Sequence, residues 1–264
     1  MTAAAADVPI LVDRSDAAVA VVTLDRPDQK NAMTLAMWER LGDVFLELGA
    51  VEEIRAIVLT GSGGAFCAGA DIKEFGKVRE GAEAAAHYAQ MVDRANHAIL
   101  DCPKATFAAV SGPAMGGGCG LALCCDFRIS DATGYFGIPA ARLSLVYGVA
   151  ETRALLATVG MVRAKEVLFS AKRYPAEEAL EVGLATALAE DSLAEAKARA
   201  EALRASAPLT IAGAKVVLAA LEAKPTAAEI ETIHAAATKG TTSEDYREGV
   251  AAFREKRAPV FKGR

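Results

Sequence analysis

The chain has 264 residues, 53% hydrophobic and 24% charged, with a formal net charge of −5 at pH 7. That length can bury a sizeable core as one large domain, or as a core with a smaller appendage, and the composition is far from that of disordered segments. The acidic balance opposes a nucleic-acid-binding surface, which needs a concentrated basic patch.

In chain order, the N-terminus has neither a basic flank nor an adequate apolar stretch, so no secretory signal is expected. The first apolar β-rich run is Val19–Leu24, followed by a helical segment over Leu35–Leu48 that Asn31 or Thr34 can cap. A second strand is predicted at Ile54–Thr60, a helix at Ala82–Leu100 and, after the break at Pro103, a third strand at Thr106–Val110. A small, apolar helix over Met115–Cys125 and a weaker strand at Phe127–Ser130 complete the pattern. Strands alternating with helices predict an α/β core with right-handed parallel crossovers. After about Leu155 the chain turns alanine-rich, with helical segments at Glu166–Leu168, Glu177–Val182, Leu193–Ala205, Ile211–Leu221, Ala227–Ala237 and Asp245–Glu255. The expected division is an α/β core over 1–200 and a C-terminal helical region over 201–264.

Other features narrow the function. Five cysteines contain no CxxC pair, and an odd count fits a reduced chain. Three scattered histidines, His87, His97 and His234, do not suggest a metal site. No apolar run reaches the roughly 18–20 residues that span a bilayer. A cytoplasmic protein without a membrane or nucleic-acid partner is expected.

Two glycine-rich stretches carry most of the chemical information, GSGGAFCAGADIKEF from Gly61 and GPAMGGGCGLALCCD from Gly112. Each follows a predicted strand, so each presents bare backbone N–H groups at the end of a sheet, where they can meet an anion or a developing negative charge. In the first, Ala70 offers its N–H and Lys73 stands close by for a phosphate. The second opens a helix, whose first N–H groups lack intrahelical partners. Consecutive glycines there cost roughly 1 kcal/mol each in helix propensity, which implies close approach by a ligand or by packed backbone. Neither stretch has the GK[ST] ending of a phosphate-binding loop or the GxGxxG of a dinucleotide fold.

FCAGADIK, then SGPAMGGGCGLALCCD, then RYPAEEALEVGL and EDYREGVAAFREKRAPVF, in this order, resemble the enoyl-CoA hydratase/isomerase, or crotonase, superfamily. The resemblance runs from LDRPDQKNAMT onward. It implies a crotonase-like α/β core of repeated ββα units and a C-terminal helical region that mediates trimerisation. It also implies two backbone N–H donors, Ala70 and Gly117, that hold the thioester oxygen of an acyl-CoA as an enolate forms. Ala68, Asp71, Ile72 and Lys73 would line the CoA tract, and Phe253 and Lys256 would reach CoA from the C-terminal region. CoA enters as part of the substrate rather than as a permanently bound cofactor, no metal is implied, and the family's members are usually homotrimers or dimers of trimers.

The chain departs from the family at its acids. Hydratases of the family carry one glutamate just after GGGC and another after the F-x-x-P turn, where this chain has Gly120 and Ala140. The acid that isomerases place eight residues further on is Gly148 here. General acid–base groups contribute roughly 100–10,000-fold, so slow hydration of 2-enoyl-CoA is expected. Tyr147 stands where methylmalonyl-CoA decarboxylase-like members carry a tyrosine, although those members have a histidine in place of Ala70. Glu151 opens the helix ETRALLATVG, where a carboxylate complements the helix dipole; capping is its first reading and acid–base catalysis the alternative. Arg142, which can pair a substrate carboxylate, and His87 read first as surface side chains and second as pocket residues. Cys67 and Cys119 adjoin the loops but have no histidine base at an interpretable spacing, so they read as small core residues. A decarboxylase-like enzyme and a non-catalytic acyl-CoA-binding protein are the alternatives.

Overall fold

The computed structural model describes residues 8–143, 145–221, 243–255 and 257–264, together with Glu231, Ala235, Thr238 and Lys239. Nine strands are described: β1 (Ile10–Asp13), β2 (Val19–Leu24), β3 (Ala56–Gly61), β4 (Ala105–Val110), β5 (Pro113–Met115), β6 (Phe127–Ser130), β7 (Tyr135–Gly137), β8 (Tyr174–Pro175) and β9 (Ala187–Leu188). They form a six-stranded sheet in the order β1-β2-β3-β4-β6-β9 and a small sheet in the order β5-β7-β8. Strands β2, β3, β4, β6 and β9 run parallel, as the alternation predicted. The antiparallel pairing of β1 with β2 is outside that prediction.

Among the described residues the α-helices are α1 (Leu35–Ala50), α2 (Phe75–Val78), α3 (Gly81–Leu100), α4 (Gly117–Cys124), α5 (Val149–Ser170), α6 (Ala176–Val182), α7 (Ser192–Ala202), α8 (Pro208–Leu221) and α9 (Glu244–Glu255). Helix α1 begins where Thr34 Oγ1 accepts the Met37 N–H at 3.2 Å, so Thr34, not Asn31, is the cap. Segment α5 joins the helix ETRALLATVG read from Glu151 to the predicted Glu166–Leu168 in one element that breaks at Gly160, whose φ is +72°. The predicted helix over Ala227–Ala237 lies almost wholly outside the described residues.

Both faces of the large sheet are covered. On β2, Ala20, Val22 and Leu24 join Trp38, Leu41 and Phe45 of α1 in the main core. Val19 and Val21 point the other way, into a smaller cluster with Ala196 and Ala200 of α7. Burial on both faces is why these strands read as unbroken apolar runs. Among the described residues no single helix is long and apolar enough to cross a membrane.

The ββα unit recurs as β4–β5–α4 and β6–β7–α5. In each, the first strand joins the large sheet and the second the small one, so the following helix starts at the junction of the two. At that junction the chain after β3 is clamped onto the second unit. Cys67 bridges to Ala114, with Cys67 N–H on Pro113 O at 2.7 Å and Met115 N–H on Cys67 O at 3.0 Å. Close packing accounts for Gly118, because a β-carbon there would be driven into the Cys67 carbonyl. Gly118→Ala is therefore expected to lower stability by about 1–3 kcal/mol in denaturant unfolding, and a neutral result would contradict this packing.

Candidate active site

The two glycine-rich segments leave the carboxyl ends of the neighbouring parallel strands β3 and β4. The first is pinned from both sides. Phe66 N–H donates to Ser111 O at 2.7 Å, while Ala68 N–H donates to Lys30 O at 2.9 Å. Further along, Met33 N–H bonds Gly69 O and Asp71 N–H bonds Met33 O, each at 2.8 Å. Gly69 has φ +104°, and a β-carbon there would lie 2.7 Å from Met115 O. Only glycine combines that conformation with that approach.

Buried Asn31 holds the start of the same segment. Its side chain accepts Arg26 N–H at 2.8 Å and donates to Ser62 O at 3.0 Å and Ala65 O at 2.5 Å. Arg26 reaches over to Asp71, 3.0 Å away, and Asp71 also caps Lys73 N–H at 3.1 Å. The Asp71 carboxylate is thus buried and committed to holding the loop. Ala68, Ile72 and Lys73 are exposed on the outer side of the turn.

This clamping brings Ala70 N and Gly117 N together. A β-carbon built on Gly69 would lie 3.5 Å from Gly117 N, and one built on Gly117 would lie 3.9 Å from Ala70 N. Among the described residues, neither N–H appears in the turn, loop and cap bonds of the main chain. Trp38 walls this space, with its ring 3.0 Å from where a Gly117 β-carbon would stand. It is fixed by its Nε1–H bond to Tyr88 Oη at 3.1 Å. Two backbone donors held this close together are able to hold an oxygen that gains negative charge.

Tyr147 and Glu151 meet behind the start of α4. The Tyr147 hydroxyl donates to Gly116 O at 2.8 Å. Glu151 is 5% exposed, takes hydrogen bonds from Gly148 N–H and the buried Asn96 side chain, and shares one with Tyr147. The bond to Gly148, the N-cap of α5, matches the helix-start role read from the sequence. Burial, helped by the Asp93 charge, outweighs those bonds and lifts the Glu151 carboxyl from 4.5 to about 7. Burial, with Glu151 next to it, holds the Tyr147 hydroxyl well above its ordinary value.

Ala140 lies in the Pro139–Arg142 turn and shares with Tyr147 an open, apolar cleft of about 600 Å³ that Val146, Val149, Leu156 and Phe169 also line. Arg142 is exposed, and His87 is exposed and 3.5 Å from Glu39. Burial pushes the Cys67 and Cys119 thiols up to about 12, which suits core residues rather than nucleophiles. Phe253 belongs to α9, its side chain is not among those described, and Lys256 lies outside the described residues.

A sequence model of the family described as enoyl-CoA hydratase/isomerase matches residues 14–264. The chain belongs to the enoyl-CoA hydratase/isomerase family. A Bacillus subtilis protein named as an enoyl-CoA hydratase/isomerase is 34% identical over 249 residues, 93% of this chain and 95% of the relative. A Mycobacterium bovis protein named as an enoyl-CoA hydratase is 36% identical, over 93% of this chain and 96% of its own length. Among solved structures, a family protein from Hyphomonas neptunium superposes with a TM-score of 0.91 at 32% identity, covering 97% of this chain and 98% of its own. An enoyl-CoA hydratase/carnitine racemase from Magnetospirillum magneticum gives 0.89 at 37% identity, covering 98% and 97%. The expected crotonase-like fold is thereby established.

Three residues that shape the site, Trp38, Asn31 as a clamp and Asn96, escaped sequence reasoning. Asn31 alone left a signal. It follows Lys30 in a polar turn, and both have positive φ, 56° and 49°, a conformation in which asparagine is enriched.

The raised carboxyl makes stability depend on pH. The folded chain holds the Glu151 proton more tightly than the unfolded chain. The contribution of that proton is therefore complete below about 4.5 and is lost as pH rises to about 7. Thermal melts of Glu151→Gln and the parent are expected to diverge in favour of the variant across that window. A difference independent of pH would contradict the buried, proton-holding carboxyl.

Proposed function

We propose that this chain processes an acyl-CoA thioester through an enolate whose oxygen sits between the N–H groups of Ala70 and Gly117. The observation that supports this reading is the close approach of the Ala70 and Gly117 backbone nitrogens to each other beside Trp38, neither of them in the turn, loop and cap bonds of the described main chain. Donors held rigid before the reaction stabilise charge that appears only as the α-carbon loses a group or the β-carbon gains one. The exposed edge at Ala68, Ile72 and Lys73 suits the CoA portion, with the Lys73 ammonium available to a phosphate. Asp71 supports that edge from beneath, and Phe253 and Lys256 are proposed to complete the tract. The apolar cleft between Ala140 and Tyr147 has the character expected for an acyl group.

Alanine at position 140 leaves no carboxylate on that wall to orient a water, so hydration is not the favoured reaction. The second reading is decarboxylation, which needs no base to create its carbanion. It is favoured by the Tyr147 hydroxyl, which lies beside the recess and is anchored on Gly116 O at 2.8 Å.

The exposed apolar side chains of Met161, Val162, Leu218 and Leu221, outside that cleft, support assembly into a homotrimer or a dimer of trimers. Light scattering is expected to return three or six chain masses, and a monomer at micromolar concentration would refute this.

Ala70→Pro removes one donor and leaves the Asp71 N–H bond to Met33 that pins the loop. Turnover of any thioester substrate is expected to fall by roughly 100–1000-fold. Hydration of crotonyl-CoA by the parent chain should be slow, short of an ordinary hydratase by roughly the 100–10,000-fold that an acid–base group contributes. Undiminished turnover in the proline variant would remove the basis of the proposed recess.

A further inference from the structure

Gly120 lies one helical turn beyond Gly117 on α4 and is buried. A β-carbon built on it would stand 2.5 Å from Glu151 Oε1 and 2.8 Å from Tyr147 Oη. That first distance is the reach of two carbon–carbon bonds. The Glu151 carboxylate, rooted on α5, thus stands about where a glutamate growing from position 120 would carry its own. The other oxygen is placed by Gly148, where a β-carbon would come 2.8 Å from Oε2. Two glycines on different elements make room for one carboxylate.

We infer that Glu151 is the proton carrier of this site, its Oε1 reaching from α5 across the space left open at Gly120 to serve the α-carbon of a thioester held at Ala70 and Gly117. The inference rests on the thioester reading above. The step balances without any further reactant. Oε1 takes the α-proton, the C–H electron pair moves into the enolate, and the charge rests on the thioester oxygen between the two N–H groups. The reverse step returns the proton to carbon, and the same carboxyl can protonate an enolate left by loss of carbon dioxide.

The neighbouring groups do not compete for this role. Tyr147 donates to Gly116 O and is held protonated by its surroundings. The Cys119 and Cys124 thiols are buried and stay protonated. Asp93 of α3 is exposed, and Asn96 does not titrate. Among the described residues around this space, Glu151 is the one carboxyl that is both buried against α4 and able to exchange a proton near neutrality. A single carboxylate suffices to move a proton on or off one carbon, which is consistent with Ala140 having no acid.

The test uses two readouts on the full chain. A cinnamoyl-CoA chromophore reports carbonyl polarisation as a shift to longer wavelength, and mass spectrometry in heavy water reports exchange of α-protons of butyryl-CoA. The parent is expected to show both. Glu151→Gln keeps the volume and one acceptor oxygen, so the wavelength shift should persist while exchange falls at least 100-fold. Ala70→Pro should lose the shift itself. Exchange in Glu151→Gln within twofold of the parent, with the shift intact, would overturn the assignment of Glu151 alone. Absence of any shift in the parent would instead overturn the thioester reading beneath it. The retained shift in Glu151→Gln also shows that the variant is folded.

Discussion

The arrangement of the site depends on the seating of one segment, Phe66 to Asp71, between two others. On one side it bonds the main chain of 30–33, and on the other it bonds 111–115. These are backbone bonds, so the register is set by chain geometry and not by any single side chain. A donor used electrostatically must already point the right way, because reorienting it during a reaction would cost much of what it contributes. The clamp supplies that fixity to Ala70, and the ββα turn from β5 into α4 supplies it to Gly117. Gly69 and Gly118 are required because this interlock leaves no room for a β-carbon at either place.

The same crowding explains why a carboxylate is tolerated inside. Glu151 is removed from water, and isolated burial of a charge is strongly unfavourable. It takes bonds from Gly148 N–H and Asn96, yet these do not cancel the loss of solvent, and the proton is held up to about pH 7. A carboxyl with balanced charged and neutral forms is poorly suited to stabilising the fold and well suited to exchanging a proton. The structural and chemical readings of this residue are therefore compatible. One oxygen serves the start of α5, and the other faces α4.

Much of this was legible in the sequence, for identifiable physical reasons. Strands β2, β3, β4 and β6 are buried on both faces or nearly so, and their apolar runs mark them within two residues. The small sheet was not legible, since strands of two or three residues, such as Tyr174–Pro175, are too short to show a period. Helix α5 was legible only in pieces, ETRALLATVG and Glu166–Leu168, because Gly160 breaks it and exposed valines and a phenylalanine blur its apolar stripe. The glycine motifs marked the two segments because the interlock constrains every residue around them, while the choice of Ala70 and Gly117 within them came from the family resemblance. Trp38 and Asn96 sit in ordinary amphipathic helices, where nothing local distinguishes a residue that faces the site from one that packs in the core.

This contrast bears on how acids and backbone donors are encoded. A backbone N–H can be placed only by the path of its own chain, so its position is written into glycines, bridges and turns that cannot be moved separately. A carboxylate acts wherever its oxygens arrive, and a side chain from any neighbouring element can deliver it. Replacing the residue at 120 with glycine removes one route to that point and, by the same act, opens another from α5. Motif reading sees the first change as a loss, because the compensating residue is 31 positions away, on another helix. The proposed oxyanion recess is therefore a property of local sequence, whereas the proton carrier is a property of the packing between α4 and α5.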